Sequence, residues 1–87
     1  IEDINPQAPI HLLIIPKKHI ATLMEVSEGD KEVLASVFSA AKSLAKEQGV
    51  DQRGFRLVVN CLEEAGQTVF HLHFHFLAGR PMKWPPG

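Results

Sequence analysis

Four stretches of the chain carry a readable pattern of apolar and polar positions. Val33, Val37, Ala41 and Leu44, with Leu34, Phe38, Ala41 and Ala45, recur at spacings of three and four. Lys31, Glu32, Lys42, Lys46 and Glu47 take the other face. That is the period of an amphipathic helix. Ser27 is a good N-cap, Asp30 three residues on resembles a capping box, and Gly49 supplies the stop. The pattern predicts a helix over about residues 28–48. Ile10 to Ile15 is a short apolar run closed by Pro16, and it predicts a strand that contains one histidine, His11. Phe55 to Asn60 alternates, with Phe55, Leu57 and Val59 on one face, and predicts a second strand. Val69 to Leu77, bounded by Gly79, predicts a third.

The remaining segments are loops or turns. Pro6 and Pro9 keep residues 3–9 out of a helix. Residues 20–26 fit a short helical turn at most. Cys61 to Thr68 is a loop containing Gly66. The tail, residues 80–87, holds Pro81, Pro85 and Pro86 and cannot be regular structure. The pattern gives three strands and one long helix, with the whole of 1–87 as a single unit.

Composition narrows the function classes. The chain has 87 residues, and nine Lys+Arg against ten Asp+Glu give a formal charge of −1. No basic excess exists to drive phosphate-backbone binding, so no nucleic-acid partner is expected. No apolar run approaches the length of a membrane span, and no secretory leader pattern opens the chain. The single cysteine, Cys61, can neither staple the fold nor build a cysteine zinc site. A reducing, cytoplasmic setting fits best. A domain this small buries about 60–65% of its unfolded surface, so dimerisation would help it. The chain opens at Ile1, and both a short product and a piece of a longer protein fit that start.

The third strand carries the chemistry. Residues 70–76 read Phe-His-Leu-His-Phe-His-Phe. Side chains on a strand alternate faces, so His71, His73 and His75 should line one face, with Phe70, Leu72, Phe74 and Phe76 on the other. Strict alternation of three histidines is not what core packing requires. A shared metal ion is one reading. Against it, the outer two stand roughly 13 Å apart at Cα on an extended strand, and no Cys, Asp or Glu adjoins them in sequence. The other reading is nucleophilic and acid–base chemistry, because imidazole is both a nucleophile and an acid near neutral pH. Gly66-Gln67-Thr68 just upstream offers backbone N–H groups and a hydroxyl, as phosphate-binding loops do. Asn60 adds a further donor. Phosphoryl transfer is the leading candidate. His19, at a polar strand exit beside Lys17 and Lys18, reads as a surface or structural residue.

These residues carry a resemblance. His71-Leu72-His73-Phe74-His75-Phe76-Leu77 resembles the signature of the histidine-triad (HIT) superfamily. Asp3-Ile4-Asn5-Pro6-Gln7-Ala8-Pro9-Ile10-His11, Ile15-Pro16-Lys17-Lys18-His19 and Gly66-Gln67-Thr68-Val69-Phe70 are similar to other parts of that core. Trp84-Pro85-Pro86-Gly87 resembles the Hint branch, the purine nucleoside phosphoramidases. The resemblance implies an α+β fold, an antiparallel sheet with one long helix, paired as a homodimer with a continuous sheet. It implies hydrolysis of adenosine 5′-phosphoramidates to AMP and an amine through a nucleotidyl-histidine, with no metal and no cofactor. By resemblance His73 is the nucleophile, and His75 contacts the phosphate and leaving group. His71 and His11 orient and tune the nucleophile. Asn60, Gly66 and Thr68 hold the phosphate. Asp3 and Ile4 hold the ribose. Trp84 reaches the partner subunit's site. Family members usually carry further residues before this core that wall the base pocket, and without them the purine pocket of this chain is expected to be incomplete. Two alternatives stay open: a dinucleoside polyphosphate hydrolase of the Fhit type, and a non-catalytic nucleotide- or metal-binding module.

Overall fold

The computed structural model describes all residues from Ile1 to Gly87. Strand β1 (Ile10–Ile14) is followed by helix α1 (Lys31–Glu47), strand β2 (Arg56–Val58) and strand β3 (Phe74–Ala78). The strands form one antiparallel sheet in the order β1-β3-β2. The strand that carries the histidines is thus central. Its register sets Leu13 opposite His75 and His11 opposite Leu77 on one side, and Val58 opposite His75 on the other. On the outer edge of β1, the first residues run back antiparallel. Ile1 and Leu13 exchange hydrogen bonds of 2.6 and 3.1 Å, and the Asp3 N–H donates to the His11 carbonyl at 3.0 Å.

One face of the sheet packs on the helix. Val37, Ala41 and Ala45 are the buried residues of α1. They meet Leu72, Phe74, Phe76 and Ala78, with Ile20 and Val50 closing the ends. Small residues at 41 and 45 let the helix lie close enough for Phe76 to be fully buried. Two positions depart from the sequence pattern. Phe38 is 57% exposed, because its spacing places it beside the stripe and not within it. Phe70 is likewise exposed, so the apolar alternation begins only at Leu72.

The third strand is shorter than its sequence suggests. Its ladder begins at Phe74, where the pairing with Ile14 starts. Pro16 lacks an N–H and ends the partner strand soon after. Residues 71–73 keep the alternation of burial without the ladder, and the Leu72 N–H turns to the Ile20 carbonyl at 2.6 Å. The predicted second strand similarly contracts to Arg56–Val58, against which Phe55 stacks its ring on Phe76 at 4.8 Å.

The predicted start of the helix is a 3-10 turn, Glu28–Asp30, which runs into α1. The Ser27 N–H and hydroxyl donate to the Asp30 carboxylate at 3.0 and 3.1 Å, and Lys18 pairs with the same group. Lys18, and next the Ser27 N–H, hold the Asp30 carboxyl at about 2, below its ordinary 3.8, against the opposing effect of burial. An acid depressed in the folded state stabilises above its unfolded pKa and loses that contribution as pH falls through its folded value. Stability is therefore expected to drop between about pH 4 and pH 2. Asp30→Asn should flatten that limb in urea unfolding curves taken across the range.

Leu62 has φ 70° and ψ −171°, a backbone region that glycine occupies freely and other residues rarely adopt. Gln67 holds it there. The Leu62 N–H donates to Gln67 Oε1 at 2.8 Å, and the Gln67 N–H donates to the Leu62 carbonyl at 3.0 Å. Leu62→Gly should raise stability by about 1 kcal/mol, the released strain exceeding the added chain entropy. A lower urea midpoint in that variant would show that the leucine side chain contributes more than its backbone costs.

Candidate active site

The sheet face turned away from α1 bears the histidines. His11 and His75 are diagonal neighbours across β1 and β3, within reach of each other's long side chains. His11 is buried, and the Gln7 N–H donates to its Nδ1 at 3.0 Å. An N–H donor at Nδ1 requires a lone pair there, so the His11 proton sits on Nε2. His11 Nε2–H then donates to His75 Nδ1 at 2.9 Å. This leaves His75 with its own proton on Nε2. Asp3 closes the group, its Oδ2 lying 3.5 Å from His11 Nε2 and 3.8 Å from His75 Nδ1.

His73 is fixed the other way round. Its Nδ1–H donates to the His71 carbonyl at 2.7 Å, which leaves a lone pair on Nε2 with no partner in the chain. His73 and His75 meet edge to face with centroids 5.2 Å apart. The His71 ring points elsewhere. Its Nε2–H donates to the Pro16 carbonyl at 2.9 Å, and its Nδ1 lies 3.4 Å from Nδ1 of His19. So His71 holds His73 through its backbone, and His11 is bonded to His75 and not to His73. His19, read from sequence as a surface or structural residue, is exposed and packs edge to face on His71.

Burial first, then the neighbouring His73 and His11, push the His75 pKa below the ordinary imidazole value, with Asp3 opposing. His75 is therefore neutral at pH 7. Below the ordinary value the unfolded chain takes up this proton before the folded one does. The contribution to stability is full above about 6.5 and is lost as pH falls toward the depressed folded value.

A cleft of about 490 Å³ opens in front of His73 and His75. Asp3, Ile4, Asn60, Gly66 and Thr68 line it. The sequence reading thus singles out residues that the fold brings together. His71 and His11 flank the cleft without lining it. The Asn60 amide, the Thr68 hydroxyl and the Thr68 N–H have no partner in the chain, so all three are available to a ligand. The N–H groups of Gly66 and Gln67 are not, since they donate to the carbonyls of Glu63 and Leu62. Gly66 serves by its left-handed conformation, φ 82°, which carries the chain into the cleft wall. Gln67, read from sequence only for its backbone N–H, has a buried side chain. Its amide donates to the carbonyls of Ala21 and Val69 at 3.0 and 3.1 Å.

Sequence places no carboxylate beside the histidine strand, but the fold brings Asp3 to it. Asp3, His11 and His75 offer one ligand atom each, all within 4.8 Å of one another. The hydrogen bonds argue against a cation there. Metal coordination needs a lone pair on His11 Nε2, and the Gln7 N–H at Nδ1 keeps the proton on that nitrogen. The three groups are arranged to hold a proton between them.

Outside this site, Trp84 is 82% exposed, its ring 6.0 Å from the Arg56 guanidinium. No helix is long and apolar enough to cross a membrane.

The fold and this site define a small α+β domain with an open, histidine-lined cleft at one end of its central strand. The HIT domain family model matches residues 1–82, and the chain belongs to that family. It is 49% identical over 86 residues to an uncharacterized HIT-like protein of Synechocystis sp., covering 99% of this chain and 75% of that protein. It is similar to the crystal structure of a HIT family hydrolase from Legionella pneumophila Philadelphia 1. The TM-score is 0.97 at 55% identity, over 99% of this chain and 77% of that one. It also resembles a histidine triad nucleotide-binding protein from Candida albicans. There the TM-score is 0.77 at 31% identity, over 97% of this chain and 65% of that one.

Proposed function

We propose that the protein is a purine nucleoside phosphoramidate hydrolase that converts adenosine 5′-phosphoramidates to AMP and an amine. The observation that carries this reading is the opposed fixing of two adjacent imidazoles. His73 presents a lone pair on Nε2, and His75 presents an N–H. Likeness to a HIT family hydrolase and to a histidine triad nucleotide-binding protein supports the hydrolase and nucleotide parts of it.

The proposed reaction has two balanced steps. An anionic substrate raises the depressed His75 pKa, so the His11–His75 pair takes up one proton on binding. His73 Nε2 attacks phosphorus and the P–N bond breaks. The amine leaves with the proton from His75, and the nucleotidyl group stays on His73. Water then attacks phosphorus, the bond to His73 breaks, and the water's proton returns to the pair. Asn60 and Thr68 donate to the phosphate oxygens throughout. Gly66 shapes the loop that presents them. Asp3 accepts from the ribose hydroxyls, and Ile4, fully exposed at the cleft, packs on the nucleoside. In this reading the enzyme needs no metal or cofactor, works in the cytoplasm and acts as a homodimer. The exposed Trp84 reaches the partner subunit and shapes the choice of amine.

The test compares a fluorogenic adenosine phosphoramidate with a dinucleoside polyphosphate, each with and without chelator. Turnover of the first, insensitive to chelator, is the expected result. Preference for the polyphosphate would move the assignment to the Fhit-type alternative. Binding of nucleotide with no turnover of either would leave a non-catalytic module.

A further inference from the structure

The proton on His11 is placed by the Gln7 N–H, so whatever fixes Gln7 governs the His11–His75 pair. Gln7 and Ala8 lie between Pro6 and Pro9 in a loop, with only a side-chain contact from Gln7 to the Asn5 carbonyl inside the loop itself. The grip comes from the far end of the chain. Arg80 donates from Nε and Nη2 to the Gln7 carbonyl at 3.2 and 2.9 Å, a two-pronged hold on one oxygen. Its remaining nitrogen donates to the Pro81 carbonyl at 3.0 Å, so the fork cannot swing freely. Gly79 makes the approach possible. Its φ is 96°, and a Cβ there would stand 3.0 Å from Pro9 Cβ, closer than side chains pack.

We infer that the Gly79-Arg80 corner is a positioning device for the catalytic proton: Arg80 holds Gln7, Gln7 keeps the proton on His11 Nε2, and His11 thereby keeps His75 a donor toward the cleft. Arg80 lines no part of the nucleotide cleft and touches none of the reacting atoms. Lysine cannot replace it, because an ammonium is a single point and not a fork. The inference rests on the proposed reaction for its kinetic arm only.

The test uses Arg80→Ala and Arg80→Lys in the full chain. In the wild type, 15N NMR should show His11 as the Nε2–H tautomer with an unprotonated Nδ1. In both variants the two nitrogens should move toward averaged shifts. With adenosine phosphoramidate, kcat should fall on the order of tenfold while KM changes little, because the nucleotide contacts are intact. Guanidinium ion at millimolar concentration should restore part of kcat to Arg80→Ala and none to His75→Ala. An unchanged His11 tautomer in a folded variant would overturn the inference whatever the substrate. An equal loss of kcat without guanidinium rescue would overturn it too, by showing a merely structural arginine. If the wild type turns over no phosphoramidate, the proposed reaction fails, and the NMR arm still decides the positioning role.

Discussion

His73→Ala should lose turnover of an adenosine phosphoramidate by about 10³-fold or more with the fold intact. The imidazole sits half-buried at the cleft, and its one intramolecular bond, to the His71 carbonyl, is made by the nitrogen that does not react. Removing it deletes the attacking lone pair and leaves the His11–His75 pair in place. Direct attack by water on a phosphate anion is then the only path. Side-chain packing contributes little, since His73 belongs to neither apolar cluster of the core. Urea unfolding of the variant should therefore track the wild type. The check is single-turnover kinetics beside a denaturation curve. A near-normal rate would remove His73 from the mechanism, and a collapsed fold would move its role to structure.

Gln67→Ala should produce the largest stability loss of any polar truncation outside the histidine site. The side chain is buried and satisfies three backbone groups at once: the Leu62 N–H, the Ala21 carbonyl and the Val69 carbonyl. Alanine leaves all three short of a partner in a region that water reaches poorly. A cost of about 2–4 kcal/mol follows from the desolvation of unpaired amide groups. The strained Leu62 conformation loses its clamp in the same change, so the loop from Asn60 to Thr68 should relax. Activity should then fall together with stability, unlike the clean separation expected at His73. Gln67→Glu is a useful companion: it keeps the acceptor toward the Leu62 N–H but turns a carboxylate oxygen onto the Ala21 and Val69 carbonyls, acceptor against acceptor. Urea midpoints well below the wild type in both variants, with Glu recovering in part at low pH where its carboxyl is protonated and can donate, would confirm the three-way clamp. An alanine variant as stable as the wild type would show that the loop is held by other contacts.

The candidate site residues are more legible in the sequence than the way they are held. Period-two spacing placed His71, His73 and His75 together, and the burial alternation from Leu72 to Phe76 follows it. Spacing could not tell that the ladder starts only at Phe74, because that depends on where Pro16 ends the partner strand. Nor could it give ring directions. His71 lies in the same row as His73, yet it turns to the Pro16 carbonyl and His19. Asp3 stands far from the triad in sequence and reaches it only because the first residues fold back along β1. Gln67 looked like any polar loop residue, since nothing in a single sequence marks a buried amide. Helix α1 showed the opposite limit: a strong repeat placed the element and put Phe38 on the stripe, although it lies outside it. Local periodicity reports what an element buries, whereas the site depends on contacts between elements.

The central claim is that phosphorus is transferred twice, first to His73 Nε2 and then to water. Stereochemistry at phosphorus tests it without trapping anything. An adenosine phosphoramidate made chiral at phosphorus by sulfur substitution would be hydrolysed in 18O-labelled water and the configuration of the product determined. Two in-line displacements should return the original configuration. Inversion would mean that water attacks phosphorus directly, and the nucleophilic role of His73 would be contradicted.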